Sequence, residues 1–172
     1  IDTDTARAMG IAVKAATAVN ADAVAEHTWG LILACAKSIP QLNARMHDGH
    51  RDNSVHKSLE LKGRTLGLVG LGAIGLRVAH IGIAMGLRVI GHDPYAKATP
   101  SFITLAGLPE LLHASDIVSL HCPLTADNRR MIRDETLALM KDGAILVNTA
   151  RGGLVDESAV RNALLSGKLR AA

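Results

Sequence analysis

Aromatic residues are almost absent from this sequence: Trp29, Tyr95 and Phe102 are the only ones among 172 residues. The core must therefore consist of Ile, Leu, Val, Ala and Met, a composition that suits helices packed against a buried parallel sheet. The content of 48% hydrophobic and 20% charged residues is otherwise that of an ordinary globular protein. A chain of this length is compatible with a single domain that buries about two-thirds of its unfolded surface.

Cysteine and clustered positive charge are also scarce. Cys35 and Cys122 lie far apart in apolar contexts, and they form neither a CxxC motif nor a metal-ligand spacing. We interpret them as reduced thiols, which predicts a cytoplasmic protein without a metal site. The net charge is only +3 and no run of Lys and Arg exceeds two residues, so we expect no nucleic-acid partner.

Long apolar runs are missing as well. No stretch approaches the roughly 20 apolar residues that span a membrane. The first ten residues carry Asp2, Asp4 and Arg7 and lack the apolar segment of a signal peptide. We therefore expect no membrane partner. The sequence starts without Met, and we interpret it as part of a longer chain.

Apolar periodicity from residue 65 onward predicts alternating strands and helices. The predicted strands are Thr65–Gly70, Arg88–His92, Phe102–Leu105, Ile117–His121 and Ala144–Val147. The predicted helices are Ala73–Met85, Leu108–Ala114, Glu135–Lys141 and Glu157–Ser166, the last capped by Asp156. This order predicts an α/β fold in which a doubly wound parallel sheet carries helices on both faces. A sixth strand should start near residues 169–172 and be cut off, so we expect the final strand to be missing.

The residues before position 65 give weaker patterns. Ile11–Val13 predicts a short strand. Apolar residues at three- and four-residue steps from Asn20 or Asp22 to about Met46 predict a long helix, which Pro40 should kink or divide. The polar segment 47–57 contains three histidines, but their spacing fits no ligand pattern. We interpret this segment as a solvated connector rather than a metal site.

Three glycines lie between the strand predicted at Thr65–Gly70 and the helix that follows it. Gly70, Gly72 and Gly75 form the pattern G-x-G-x-x-G. In this pattern the first glycine permits a tight turn, the second lets a diphosphate approach the backbone, and the third lets helix and strand pack closely. The diphosphate accepts hydrogen bonds from free N–H groups at the helix N-terminus. The glycines alone are explained nearly as well by a close helix–strand contact.

A carboxylate ends the next predicted strand. Asp93 lies 18 residues after Gly75, near the distance expected for an acid that binds the hydroxyls of a ribose and repels a 2′-phosphate. Strand, glycine loop, helix, strand and acid in this order predict a dinucleotide site that prefers NAD to NADP. The alternative is that Asp93 only caps a helix that starts at Pro94.

Two later strands also end abruptly in polar residues, at HCPLT (121–125) and NTARGG (148–153). Ligands of doubly wound sheets bind beyond the carboxyl ends of the strands, so both segments are expected to line a pocket. We predict that Arg151 pairs bidentately with the carboxylate of an anionic substrate. Taken without its context, an isolated Arg is explained as well by a surface ion pair.

Together these motifs resemble the D-isomer-specific 2-hydroxyacid dehydrogenases. The matching stretches run from about Val24 to Lys168 and are AVAEHTWGLILACAKSIP, ELKGRTLGLVGLGAIG, GLRVIGHDP, SDIVSLHCPLT and GAILVNTARGGLVDESAVRNALLSGK. The resemblance implies a Rossmann fold and an NAD-dependent oxidoreductase that transfers a hydride between NAD(H) and a small D-2-hydroxy or 2-oxo acid. It further implies that residues 1–20 are the tail of a substrate domain and that residues 21–172 are an NAD-binding domain, incomplete at its C-terminus. The implied assembly is a homodimer, with the helix around Val24–Lys37 at the interface.

The resemblance also implies a role for each motif residue. The implied pyrophosphate contacts are Gly70, Gly72, Ala73, Ile74 and Gly75, and Asp93 is the implied ligand of the adenosine ribose. The implied contacts of the nicotinamide half are Cys122 and Pro123 at the ribose and Thr149, Ala150 and Arg151 at the ring. Arg151 is also the implied catalytic residue, which orients and polarises the 2-oxo acid.

Two other functions stay open at this level. The catalytic Glu and His of the family would lie beyond Ala172, and we interpret His121 as a lining residue rather than the general acid. The chain is therefore also compatible with an NAD-binding regulatory or dimerisation module without catalysis. A methyltransferase would use a glycine loop and an acid to bind S-adenosylmethionine, but it would leave the segment 148–153 without a role.

Overall fold

The computed structural model describes residues 2–14, 16, 18–50, 58–96 and 98–172. Its centre is a six-stranded parallel sheet. The strands are β1 (Thr65–Val69), β2 (Arg88–His92), β3 (Ile103–Leu105), β4 (Ile117–Leu120), β5 (Ala144–Asn148) and β6 (Leu169–Ala171). Their order in the sheet is β3-β2-β1-β4-β5-β6, so the direction of winding reverses between β1 and β4. This is the doubly wound Rossmann order, which opens a ligand crevice at the reversal.

The five strands predicted from residue 65 onward are confirmed, each with ends within one residue of the prediction. The expectation that the sixth strand is missing is wrong. Leu169 pairs with Ala144 and Ala171 pairs with Ile145, so β6 completes the sheet with three residues. The strand starts so early because Gly167, at φ +78°, turns the chain directly after the preceding helix, and the Lys168 carbonyl accepts the N–H of Gly143 at 2.9 Å.

Helices cover both faces of the sheet, as predicted. They are α1 (Thr3–Ala8), α2 (Ala21–Lys37), α3 (Ile39–His47), α4 (Ala73–Ala84), α5 (Leu108–Ala114), α6 (Asp134–Leu139) and α7 (Glu157–Leu165). The helices α2 and α4 pack on one face, and α5, α6 and α7 pack on the other. A short 3₁₀-helix at Gly152–Leu154 was not predicted. None of the helices in the described part of the chain combines the length and the apolar character that crossing a bilayer requires.

The core has two apolar layers, one on each face of the sheet. Successive residues of a strand point to opposite faces, so Ile145 contributes to the layer under α2 and α4 while Leu146 contributes to the other. Trp29 fills the contact between α2 and α4, where its indole N–H donates to the Val78 carbonyl at 3.1 Å. Phe102 packs against the same layer at its margin, and the other buried residues described in the two layers are Ala, Val, Leu, Ile and Met, which agrees with the composition.

The region before β1 departs from the predictions. Ile11–Val13 is not a strand, and its apolar side chains are exposed rather than paired into the sheet. The predicted long helix is divided, but at Ser38 (φ +53°) instead of Pro40. Proline lies in the first turn of α3, where its missing N–H removes no helical hydrogen bond. Within the predicted connector 47–57, residues 51–57 lie outside the described residues.

Asp116 joins three elements at the amino-terminal edge of the sheet. Its carboxylate accepts the backbone N–H of Thr65 at 2.9 Å and an N–H of Arg64 at 3.1 Å, and the Lys141 ammonium lies 3.4 Å away. Burial alone would raise the pKa of Asp116, but these hydrogen bonds and the positive charge lower it below its usual range. This cluster fixes β1 against β4 at the edge opposite the candidate site.

Candidate functional site

The carboxyl ends of four strands lie level at one edge of the sheet. The residues that pair in this row are His92, Val69, Leu120 and Asn148, one each from β2, β1, β4 and β5. Neighbouring strands are about 4.8 Å apart, so the row spans about 14 Å. The residues that directly follow the row are Asp93, Gly70, His121 and Thr149. The fold therefore brings the predicted motifs to one crevice.

The three glycines of the loop after β1 each meet a different constraint. Gly70 has φ +97°, and a Cβ there would lie 2.7 Å from the His121 carbonyl oxygen. A Cβ at Gly75 would overlap the Gly70 carbonyl oxygen. A Cβ at Gly72, by contrast, would meet no atom of the described part of the chain within 4 Å. Gly70 and Gly75 are thus required by the packing of the protein itself, whereas the open side of Gly72 leaves the backbone accessible to a ligand.

The helix α4 begins directly at this open side. Gly72 is its N-cap and offers no side chain to accept the N–H groups of the first turn, which includes Ala73 and Ile74. Such N–H groups and the positive end of the helix dipole favour an anion. No acidic residue occupies the first turn of α4. The loop and helix together are suited to a diphosphate.

Asp93 directly follows β2 and is hydrogen-bonded to the glycine loop after β1. One carboxylate oxygen accepts the Leu71 N–H at 2.8 Å, and the other accepts the Tyr95 N–H at 2.9 Å. Residues 94 and 95 form a turn. The carboxylate is half-buried and has about four acceptor positions, so it can still accept hydrogen bonds from a diol.

The segment after β4 forms the floor of the crevice. The His121 N–H donates to the Val69 carbonyl at 2.7 Å, and its Nε2 lies 2.9 Å from the Ser119 hydroxyl. Burial lowers the pKa of His121 to about 4, so the imidazole is neutral at pH 7. A neutral, partly buried ring that is bonded to Ser119 fits the prediction of a lining residue better than that of a general acid.

Cys122 and Pro123 follow His121 in the same loop. Burial raises the pKa of the Cys122 thiol, and the negative charge of Asp93 contributes to the rise. The thiol is protonated at neutral pH, so Cys122 is suited to lining a pocket and not to nucleophilic chemistry.

Asn128 holds this loop in shape and was missed by sequence reasoning. Its side-chain oxygen accepts the Thr125 N–H at 2.8 Å, and its side-chain nitrogen donates to the Pro123 carbonyl at 2.8 Å. The signal available in the sequence was an Asn that follows a Pro by five residues in a polar loop, which is typical of side-chain-stabilised turns.

The segment after β5 carries Arg151. The side chain of Asn148 holds this segment in place. Its oxygen accepts the Ala150 N–H at 3.0 Å, and its nitrogen donates to the Arg151 carbonyl at 2.9 Å. The Arg151 guanidinium is exposed and donates to the Ala150 carbonyl at 2.7 Å. Among the described residues it forms no ion pair. Within the described residues the surface ion pair considered as an alternative is therefore not formed, and the guanidinium can pair with an anion.

Thr149 contacts a residue that the sequence did not indicate. Its hydroxyl oxygen lies 3.0 Å from that of Thr28, a fully buried residue of α2. A polar residue in the apolar stripe of a helix was the only signal for Thr28, and its partner is 121 positions away. In the part of the chain that the structure describes, no group of three or more His, Cys, Asp or Glu is placed to hold a metal ion.

Residues 29–172 match the family model described as "D-isomer specific 2-hydroxyacid dehydrogenase, NAD binding domain". The whole chain is 42% identical to a hydroxypyruvate reductase of Thermotoga maritima, of which it spans 56%, and 44% identical to a D-3-phosphoglycerate dehydrogenase of Methanocaldococcus jannaschii, of which it spans 34%. The chain thus covers between about a third and about a half of these curated relatives.

Solved structures agree with these matches. A D-lactate dehydrogenase from Aquifex aeolicus, solved in complex with NAD and lactic acid, superposes with a TM-score of 0.87 at 37% identity. The superposition covers 99% of the present chain and 52% of that protein. The similarity extends over the sheet, both helix layers and the crevice.

Proposed function

Because the chain belongs to the D-isomer specific 2-hydroxyacid dehydrogenase family, we propose that it is the NAD-binding domain of an oxidoreductase that acts on a small D-2-hydroxy or 2-oxo acid. The observation that carries this proposal is the open side of Gly72, which lies between the N-terminus of α4 and the carboxylate of Asp93. The packing of the chain does not require glycine there, whereas the approach of a diphosphate does.

The residues of the crevice fit NAD. The backbone of the loop from Gly70 to Gly75 and the first turn of α4 would hold the diphosphate, and Asp93 would bind the adenosine ribose through its remaining acceptor positions. A 2′-phosphate would meet the negative charge of Asp93, so NAD is preferred to NADP. Bound NAD(H) supplies a hydride acceptor or donor at C4 of its nicotinamide ring.

The segments after β4 and β5 would hold the nicotinamide half. Cys122 and Pro123 lie where the ribose is expected, in a loop that Asn128 keeps in shape. Thr149 and Ala150 lie at the end of β5, next to the row of strand ends. This assignment follows the position of each residue in the family motifs and the level ends of the four strands.

Arg151 is the residue we assign to the substrate. Its guanidinium is exposed, without a described carboxylate partner, on a backbone that Asn148 braces. A guanidinium can pair bidentately with the carboxylate of a 2-oxo acid and, at the same time, polarise the neighbouring carbonyl as negative charge develops on its oxygen. Proton transfer is assigned to a group other than His121, because that ring is neutral and bonded to Ser119.

The division of the chain and its assembly are part of the same proposal. Residues 1–20 would belong to a substrate domain and 21–172 to the NAD-binding domain, and the exposure of Met9 (70%) and Val19 (78%) supports contacts outside the NAD-binding domain. We further propose a cytoplasmic homodimer with α2 at its interface. The exposed face of α2 carries the small or apolar residues Ala23, Gly30 and Leu31, which allow close helix packing, together with the polar residues Asp22, Glu26 and His27.

Two titrations test the proposal. NADH fluorescence should report binding to the 172-residue chain, and oxamate, a mimic of a 2-oxo acid, should then bind to the complex with NADH. In Arg151→Ala, oxamate binding should weaken about tenfold or more, since a charge-assisted pair is lost, while NADH binding changes less than about threefold.

Arg129→Ala is the matched control, because Arg129 is an exposed arginine in the loop after β4 and the charge change is the same. It should leave oxamate binding unaffected. Equal losses in the two variants would show that net charge, and not Arg151, attracts the acid. Absence of NADH binding at millimolar concentration would refute the assignment of the crevice.

A further inference from the structure

Thr28 is a buried hydroxyl with two partners on different elements. It lies on α2 with no exposed surface, and its Oγ lies 2.8 Å from the Val24 carbonyl oxygen of the preceding turn. The same Oγ lies 3.0 Å from the Oγ of Thr149. The contact joins the helix layer of one face to the carboxyl end of β5.

The single proton of each hydroxyl decides the direction of both bonds. The Val24 carbonyl can only accept, so the Thr28 hydroxyl must donate its proton there. With that proton used, Thr28 can only accept from Thr149. The Thr149 proton therefore points toward Thr28, and only its lone pairs remain for other partners.

Thr149 lines a groove beside the end of β5, which has a volume of about 480 Å³. The other lining residues are Asn148, the α2 N-cap Asn20 and the α2 residues Ala23, Val24, His27 and Leu31. A hydroxyl that can only accept will favour a ligand N–H and disfavour an anionic oxygen. In the nicotinamide half of NAD, the carboxamide is the group with N–H donors.

We propose that Thr28 is a positioning residue that fixes the Thr149 hydroxyl as a hydrogen-bond acceptor for the carboxamide N–H of the nicotinamide. This inference rests on the proposed function. It adds the means by which the pocket distinguishes a carboxamide from a carboxylate at the same ring position. Thr28 acts through Thr149 and does not touch the ligand itself.

The test compares three ligands on the 172-residue chain by calorimetry. NAD⁺ has the carboxamide, nicotinic acid adenine dinucleotide has a carboxylate in its place, and ADP-ribose lacks the ring. The wild-type chain should bind NAD⁺ about fivefold or more tighter than the nicotinic acid dinucleotide, since one hydrogen bond is exchanged for an unfavourable contact.

Thr28→Val removes the hydroxyl with little change of shape. The Thr149 hydroxyl is then free to rotate and donate, so the preference for NAD⁺ should fall to about twofold or less, while binding of ADP-ribose stays within about twofold of the wild type. Thr28→Ser keeps the hydroxyl and should keep the wild-type preference. Thr149→Val should also lose the preference, and Thr28→Ala provides the same readout as Thr28→Val if that variant does not fold.

Each other outcome has a definite meaning. If Thr28→Val weakens ADP-ribose as much as NAD⁺, Thr28 has only a structural role and the inference fails. If the preference survives in either Val variant, the Thr149 hydroxyl is not its source and the inference fails as well. If the wild-type chain binds none of the three ligands, the proposed function itself is refuted.

Discussion

The carboxylate of Asp93 accepts the backbone N–H of Leu71 at 2.8 Å, and this bond joins the end of β2 to the glycine loop. The acid that was predicted to bind a ribose thus also holds the loop that was predicted to bind the diphosphate. Both parts of the site are fixed relative to each other before a ligand binds, which reduces the cost of ordering them on binding.

Asp93→Asn removes the negative charge and one of the two acceptor oxygens. The amide oxygen can still accept the Leu71 N–H, but the amide nitrogen cannot accept the Tyr95 N–H, and the charge that repels a 2′-phosphate is lost. We expect NADH affinity to fall about tenfold and the preference for NADH over NADPH to shrink by more than that. Parallel titrations with the two dinucleotides measure both changes.

Asp142→Asn is the control for Asp93→Asn. Asp142 lies just before β5 at the opposite edge of the sheet, and its pair with Lys168 is at the surface. It should change neither the NADH affinity nor the NADPH ratio. An unaltered dinucleotide preference in Asp93→Asn would contradict the assignment of Asp93 to the ribose.

His121 should make stability depend on pH in a defined window. Its pKa is lowered to about 4 in the folded chain, against about 6.5 when unfolded, because burial disfavours the charged ring. Between these values the unfolded state binds a proton that the folded state does not. The contribution of His121 to the free energy of unfolding should therefore be fully present above pH 6.5. It should fall by up to about 3 kcal/mol as the pH drops to 4.

Urea titrations of wild type and His121→Asn between pH 4 and 8 isolate this contribution. The other titratable groups are common to both chains, so the difference in unfolding free energy should change across the window and stay constant above it. A constant difference throughout the range would show that His121 is not held neutral by the fold.

Asp116 should contribute to stability at the amino-terminal edge of the sheet. Its pKa is lowered by Thr65, Arg64 and Lys141 in spite of burial, so its contribution is present above the pKa of an unfolded Asp and is lost as the pH falls through its lower folded value. Asp116→Asn loses the charge that these donors share, and we expect a loss of about 1–3 kcal/mol at pH 7. Urea unfolding measures it.

The surface pair of Asp142 and Lys168 gives the comparison for Asp116. The Asp142 side chain is 90% exposed, so Asp142→Asn should lower the free energy of unfolding much less than Asp116→Asn does. If both substitutions lower the free energy of unfolding by the same amount, burial does not strengthen the cluster around Asp116. NADH binding should be unchanged in both variants, because both substitutions lie at the edge of the sheet opposite the crevice.

Much of this fold could be predicted because glycine residues in the sequence lie at the boundaries of helices and strands. The helix Leu108–Ala114 and the strand Arg88–His92 were predicted to the residue, since Gly107 and Gly86 precede them closely. The error at Ile11–Val13 has the opposite cause. Three residues with an apolar tendency form a strand only if a neighbouring strand pairs with them, and local sequence does not contain that information.

The candidate site could be predicted in part for the same reason. The glycine pattern, Asp93 and Arg151 are each recognisable from their immediate neighbours in the sequence. The bond between Thr28 and Thr149 is not, because it depends on how α2 packs against β5. The direction of the hydroxyl protons follows only from that packing.

Substitutions at Gly75 and Gly72 together test the claim that a diphosphate binds against the backbone at Gly72. A Cβ at Gly75 would overlap the Gly70 carbonyl oxygen, so Gly75→Ala should lower the melting temperature by about 5 °C or more. A Cβ at Gly72 meets no atom of the described residues within 4 Å, and its backbone is extended at φ −73°, so Gly72→Ala should lose only the better N-cap preference of glycine and melt within about 3 °C of the wild type.

The most direct measurement is the calorimetric titration of NADH into the wild-type chain and into Gly72→Ala. If a diphosphate lies against the backbone at Gly72, the wild-type chain binds NADH and the variant, nearly as stable, binds it at least about tenfold more weakly. Equal affinity of the two chains, or no heat from the folded wild-type chain at millimolar NADH, would contradict the account.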